Sequence, residues 1–425
     1  MEPSSLLPSG APEPVDPGRR RLLFVSPRFL FPADGGGKIR TAQILRGMKG
    51  GAYEITLVSP VPKDAARHAT VVGEVCDRFA GWPEPRRGRA FRVTRLRHLV
   101  SPLPLPVATD RSRPGRQVVA AELARQPDVV VFDFLHSVVL APPSHSCPSV
   151  LFTHNVESEI FERHAALAAH PVERAVWRSQ FRKMERFERE ALGRFDAVVA
   201  VSERDAARFR DGLGRAGAQV IPTGVDAEYF AYTPPGDEGV VAFTGAMDWL
   251  ANIDAIDYFL EQVWDRVVRE VPHARFRVIG RNPPASLVEK VRARGVAWEL
   301  TGFVDDVRPH ARGCSAYVIP LRVGGGTRLK AFEAMAMGCP VVSTSIGVEG
   351  LPLEPGRHYL RADTAEELAA ALVRLLRDAE LRGRISREAR RHVEEGFSFR
   401  RAARVFEEIC LAAETVSRGR TGVLS

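Results

Sequence analysis

The stretch RVGGGTRLKAFEAMAMGCPVVST, Arg322 to Thr344, sets three consecutive glycines and a threonine ahead of a helical run, then a glycine stop and an apolar strand. Gly324, Gly325 and Gly326 let the backbone approach a ligand closely, and Thr327 is placed to cap the helix that follows. The unpaired N–H groups and dipole of a helix start favour an anion, by about 0.3–1 kcal/mol per contact at an exposed position, so a diphosphate is better served there than a neutral group. Arg322 and Arg328 flank the loop and add charge-assisted contacts. Glu333, the single carboxylate of the helix, lies six residues beyond Thr327 among Ala331, Phe332, Ala334, Met335 and Ala336. A carboxylate accepts two hydrogen bonds, and the adjacent hydroxyls of a ribose supply them, so a nucleoside diphosphate would span the helix from its start to Glu333. The other reading is an ion pair of Glu333 with Lys330 or Arg328 on a solvent face.

Outward from this stretch, short apolar strands alternate with longer amphipathic segments, the pattern of βαβ units and parallel sheets. The first half carries RLLFVSP (21–27), EITLVSP (54–60), DVVVFDF (128–134), SVLFTH (149–154), DAVVAVS (196–202) and AQVIPTG (218–224), with helices near 37–50, 115–125, 157–193 and 203–213. The Pro- and turn-rich DAEYFAYTPPGDEG (226–239) interrupts the alternation. It restarts with VVAFTG (240–245), RFRVIG (275–280), WELTG (298–302), AYVIP (316–320) and PVVST (340–344), separated by helices near 252–269, 284–294, 328–337 and 364–392. The fold class is therefore α/β with two Rossmann-like, doubly wound domains: residues 21–225 and 240–397, joined by a linker at 226–239.

Composition agrees with such a chain. At 425 residues it is too long for one core, and its 45% hydrophobic and 26% charged residues are those of a globular protein. No apolar run reaches the roughly 18–20 residues that span a bilayer. Five scattered cysteines without a C-x-x-C argue against a disulfide framework and a zinc site, and the expected setting is the cytoplasm. Residues 1–20, rich in Pro, Ser and Gly, read as a disordered tail without the apolar core of a signal peptide. The net charge is +7 over residues 1–235 and +1 over 236–425. This excess reads either as a solvated Arg-rich surface or as a face for an anionic membrane or an acidic acceptor.

Ligands of doubly wound sheets bind at the carboxyl ends of the strands. There the chain resembles the GT-B fold glycosyltransferases of family 4, a group of retaining nucleotide-sugar enzymes, over nearly all of residues 21–415. The second-half motifs are FTGAMDW (243–249), VIGRNPP (278–284), LTGFVDD (300–306), the stretch 317–344 and GVEGL (347–351). In the first half, FPADGGGKIR (31–40) and FTHNVE (152–157) match the acceptor-side loop and the active-site histidine, His154, while GFSFRRAARVFEEI (396–409) resembles a helix, 398–415, that returns to the first domain. The resemblance implies two domains facing across a cleft, the first acceptor-side and the second donor-binding. It implies transfer of a sugar, with retention, from a nucleoside-diphosphate sugar to a hydroxyl of a glycan, a lipid-linked molecule or a small molecule, in polysaccharide or glycoconjugate biosynthesis. The chain has no D-x-D triplet, which fits catalysis without a metal, and no cofactor or nucleic-acid partner is expected.

Two departures shape the site residues. Family members often carry a glutamate eight positions before Glu333, where this chain has Gly325; it follows the branch reading Gly-Gly-Gly-Thr-Arg. The basic pair that usually grips the diphosphate after the first strand of the donor domain is missing from GAMDWLANID (245–254), so Arg281 and Arg328 take that role, and Asn252 is left as an N-cap. The expected donor set is Arg281, Gly302, Phe303, Gly325, Gly326, Thr327, Arg328, Leu329 and Glu333, with main chain near Gly302 and Phe303 reading the base. His154, Glu333 and Arg328 carry the chemistry. Gly35, Gly36, Gly37, Lys38 and His136 form the acceptor side, with Arg40 beside them. Two other readings of the architecture are a catalytically silent glycan-binding or scaffold partner and a nucleotide-sugar epimerase.

Overall fold

The computed structural model describes residues 19–33, 35–85, 98–168, 170–323 and 328–421. It divides into two compact units, Met1–Pro222 with Arg400–Ser425, and Thr223–Phe399. The first unit holds a seven-stranded sheet of β1 (Arg20–Val25), β2 (Tyr53–Val61), β3 (Arg78–Pro83), β4 (Val129–Asp133), β5 (Ser149–Phe152), β6 (Ala197–Ala200) and β7 (Gln219–Val220). Its strands are parallel and ordered β3-β2-β1-β4-β5-β6-β7. The principal helices are α1 (Gly36–Met48), α2 (Arg113–Leu123), α3 (Glu157–Leu167), α4 (Pro171–Leu192) and α5 (Glu203–Leu213).

The period of two along each strand separates two cores. Leu22 and Phe24 of β1 join Ile55, Leu57, Val131 and Phe152 on one face, while Leu23 and Val25 join Val130, Phe132, Leu151 and Val198 on the other. The first core is covered by α1 and by a C-terminal helix, Phe399–Thr421, through Ala402, Ala403, Phe406, Ile409 and Cys410. Phe406 is fully buried, with its ring 4.8 Å from that of Phe152.

The second unit repeats the plan with six parallel strands, β8 (Val240–Thr244), β9 (Arg275–Ile279), β10 (Trp298–Leu300), β11 (Ala316–Ile319), β12 (Val341–Ser343) and β13 (Tyr359–Arg361), in the order β10-β9-β8-β11-β12-β13. Its helices include α6 (Leu250–Tyr258), α7 (Ala285–Arg294), α8 (Leu329–Ala336), α9 (Ala365–Arg377) and α10 (Ala379–Gly396); α11 spans Phe399–Thr421. No helix among the described residues is long and apolar enough to cross a membrane.

Several elements differ from the sequence reading, each for a local reason. The edge strands β3 and β13 escaped notice because RFAGWP contains Gly and Pro and YLR is three residues long, so neither shows an apolar run. The helix expected over 157–193 is two, since Pro171 opens α4 and biases the residue before it away from helix. The second of these helices secures the first: buried Glu188 of α4 accepts from the backbone N–H groups of Glu157 and Ser158, at 2.8 and 3.1 Å, at the start of α3. The helix expected over 364–392 breaks at Asp378, whose carboxylate caps α10 by accepting from Leu381 N–H at 2.8 Å. Residues 226–239 do more than connect. Phe230 is buried in a core of the second unit, and Thr233 and Gly236 donate to the carbonyls of Met337 and Gly313.

Phe406→Ala removes a large ring from a packed core and is expected to destabilise the protein by about 3–5 kcal/mol in urea denaturation, whereas exposed Arg404→Ala on the same helix stays within about 0.5 kcal/mol.

Candidate functional site

In each sheet the strand order reverses once, between β1 and β4 in the first unit and between β8 and β11 in the second. At such a reversal the following segments turn to opposite faces and leave an exposed crevice, the general ligand position of open α/β sheets.

In the second unit the loop leaving β11 contains Gly325, Gly326 and Thr327, which lie outside the described residues, and α8 begins just after it at buried Leu329. Glu333 sits on α8 with its Oε1 buried and without a hydrogen-bond partner among the described residues. Burial pushes its pKa up to about 7, opposed by the charge of Lys330. Lys330, one helical turn earlier, is not the ion-pair partner of Glu333 that the sequence allows. Its Nζ instead donates to Asn252 Oδ1 at 3.0 Å and lies 4.3 Å from the centre of the Phe243 ring. Burial and the neighbouring charge of Arg328 lower its pKa to about 7 against the pull of Glu333. Asn252 is not the expected N-cap. It stands inside α6 and donates its Nδ2 to the Ala246 carbonyl at 2.9 Å, holding the end of β8 to the helix. The crowding is tight enough that a Cβ on Gly280 would meet the Gly245 carbonyl oxygen at 1.9 Å.

The arginines named from sequence are engaged elsewhere in this unit. Arg281 donates Nε to Asp248 at 3.2 Å, Arg322 grips Asp254 at 2.5 and 3.1 Å, and buried Arg328 donates Nε to the Ile346 carbonyl at 3.0 Å. Gly302, at φ +70°, bridges to Gly280 beyond the end of β9, and Phe303 beside it is 57% exposed.

In the first unit the reversal places Ser26, just past β1, against Asp133, the last residue of β4. Asp133 is fully buried and accepts from Ser26 Oγ at 3.0 Å, from Thr41 Oγ1 at 3.1 Å and from His154 Nε2 at 2.7 Å. His154 follows β5 and stacks on Phe134 at 4.0 Å. Burial lowers its pKa, with Asp133 pulling the other way. A neutral imidazole that gives its Nε2 proton to a carboxylate keeps Nδ1 as an acceptor. Nδ1 points toward α1, where a Cβ on Gly37 would lie 3.7 Å from it and 2.4 Å from the Phe134 ring. Gly37 is thus needed for close packing, while Gly35 is the extended residue ahead of α1 and Gly36 opens the helix. Lys38 reaches the Pro32 carbonyl at 3.3 Å. Arg40 is buried rather than presented outward, its pKa lowered to about 10 by burial, with Asp205 opposing.

His136 belongs to a second cluster beside the first. Its Nδ1 meets Asp110 at 3.2 Å and its Nε2 meets Glu157 at 3.7 Å. Burial disfavours its charge, yet the two carboxylates outweigh burial and raise its pKa to about 9. Glu157, opposed by burial but held by His136 and Asn155, falls to about 2. Asp133, Thr41 and Ser26 are site residues that the sequence reading does not name. Only Asp133, a lone carboxylate closing an apolar strand, carried a visible signal.

A histidine raised from about 6.5 to about 9 stabilises the fold fully below pH 6.5 and loses that contribution as pH rises through 9. The stability gap between the wild type and His136→Gln is therefore expected to narrow by about 3 kcal/mol between pH 6 and pH 10 in denaturant titrations.

Residues 34–229 match the model described as Glycosyltransferase Family 4, and residues 238–378 the model described as Glycosyl transferases group 1. No curated protein sequence matches the chain. Among solved structures, sucrose-phosphate synthase from Thermosynechococcus elongatus is similar at a TM-score of 0.67 and 16% identity, over 95% of this chain and 100% of that one. TarM of S. aureus, in a complex that includes UDP, has a TM-score of 0.68 and 10% identity over 92% and 99% of the two chains. HepE of Anabaena, with UDP and glucose, has 0.66 and 16% over 92% and 99%. These structures share the GT-B architecture of two parallel-sheet domains. With a family 4 domain in its first half and a group 1 domain in its second, this chain is a glycosyltransferase of the GT-B fold.

Proposed function

We propose that the protein moves a sugar, with retention of anomeric configuration, from a nucleoside-diphosphate sugar to a hydroxyl acceptor in polysaccharide or glycoconjugate biosynthesis. The observation that carries this reading is Glu333. A carboxylate oxygen buried without a partner, at the reversal of a doubly wound sheet and one helix beyond a glycine-rich loop, suits the paired hydroxyls of a ribose. UDP or a UDP sugar in the similar structures supports the donor class.

The chemistry assigned to the chain needs few groups. The bond between the anomeric carbon and the diphosphate oxygen breaks with its electron pair going to the diphosphate. The acceptor oxygen bonds the same carbon, and its proton passes to the departing phosphate oxygen. Charge accumulates on the leaving group and is met by the amide-rich start of α8 and by cationic side chains. His154, fixed through Asp133, offers Nδ1 to a hydroxyl of the transferring sugar or of the acceptor, and Asp133 acts as its positioning residue.

The first unit also carries a basic surface suited to an anionic membrane face or an acidic acceptor. A groove of about 570 Å³ runs along α4, lined by Arg174, Arg178, Arg182 and Lys183, with Val172 and Val176 exposed nearby. In co-sedimentation with anionic vesicles, Arg178→Glu with Arg182→Glu is expected to weaken binding at low salt; wild-type binding indifferent to salt and to anionic lipid removes the membrane reading.

Donor turnover across UDP, GDP and ADP sugars tests the enzyme directly. His154→Ala is expected to lower kcat about 100-fold or more, and Glu333→Ala to raise the donor KM about 10- to 100-fold. Unchanged turnover in both variants removes the site assignment. The anomeric configuration of the product, read by NMR, decides retention.

A further inference from the structure

We propose that Lys330 is the side chain that receives the diphosphate of the donor, taking over the task of the basic pair absent after β8. The assignment rests on the donor reading above and deepens it by naming the cation.

An ammonium withdrawn from water is retained only where something compensates it, and its natural compensation is an anion. Among the described residues Lys330 makes no ion pair; its hydrogen bond goes to the neutral amide of Asn252, with the Phe243 ring below. Of the other cations in this region, Arg281 pairs with Asp248, Arg322 with Asp254, and buried Arg328 turns its Nε to the Ile346 carbonyl. Burial has lowered the ammonium's pKa to about 7, so an arriving phosphate also restores its full charge.

Position supports the same conclusion. Phe243 belongs to β8, and Gly245 follows directly after it; a Cβ built on Gly245 would lie 3.0 Å from the Lys330 Nζ. The amine therefore stands at the end of β8, where the sequence lacks its basic residues, although it is delivered from α8 across the strand reversal. Lys330 and Glu333 are three residues apart on α8 and share a face of that helix. One helix thus presents a cation for the diphosphate and a carboxylate for the ribose. Asn252, itself held by the Ala246 carbonyl, fixes the amine in place.

Calorimetric titration of matched probes tests the assignment: UDP with uridine, GDP with guanosine and ADP with adenosine, keeping the pair that the wild type binds. Lys330→Met is expected to weaken the nucleoside diphosphate about 10- to 100-fold while leaving the nucleoside within about twofold, and Lys330→Arg to recover most of the loss. Glu333→Gln is expected to weaken both members of the pair in the same proportion. Lys330→Gln, which can still reach Asn252, serves if the Met variant does not fold. Equal weakening of diphosphate and nucleoside by Lys330→Met, or no weakening of either, overturns the assignment while leaving the donor reading intact. A wild type that binds no nucleoside diphosphate overturns both.

Discussion

Both candidate clusters of this protein lie where a parallel sheet changes direction. Strands that build outward from a central β1 or β8 send their connections to opposite faces, and each sheet reverses its order once. Polar groups elsewhere along these strands would be buried between two apolar cores. At the reversals they are tolerated, and there the chain places Ser26 and Asp133 in one unit and Gly245 and the loop after β11 in the other.

The two reversals handle buried charge differently. In the first unit the carboxylate of Asp133 is saturated by Ser26, Thr41 and His154. Such networks hold side chains in a fixed geometry, and the imidazole of His154 inherits that rigidity. In the second unit Glu333 and Lys330 are half-buried without charged partners of this kind, and burial moves their pKa values to about 7 from opposite directions. Groups in that condition gain most from a ligand that brings hydroxyls and negative charge.

Much of this was open to inspection in the residues themselves. Alternation of apolar strands and amphipathic helices announced two parallel sheets, because strands buried on both faces must be nearly all apolar and their period of two is visible in LLFV, VVVF and VVAF. The lone glutamate among the apolar residues of α8 and the histidine at the end of β5 also stand out in the sequence. Edge strands did not stand out, since a three-residue YLR or a Gly- and Pro-containing RFAGWP needs only one sheet neighbour and little apolar surface.

What the order of residues determined by itself was the periodicity, and with it the layers, the fold class and the elements that carry the glycine loop, Glu333 and His154. What only the tertiary structure decided was which charges find partners. Arg281, Arg322 and Lys330 look alike as isolated cations in the chain, yet folding hands the first two to aspartates and leaves the third against a neutral amide. Asp133 and His154 are 21 positions apart and become a hydrogen-bonded pair only because β4 and β5 lie side by side. The reason is physical: backbone pattern is set by neighbours in sequence, whereas the state of a charge is set by the dielectric and the partners that assemble around it in space.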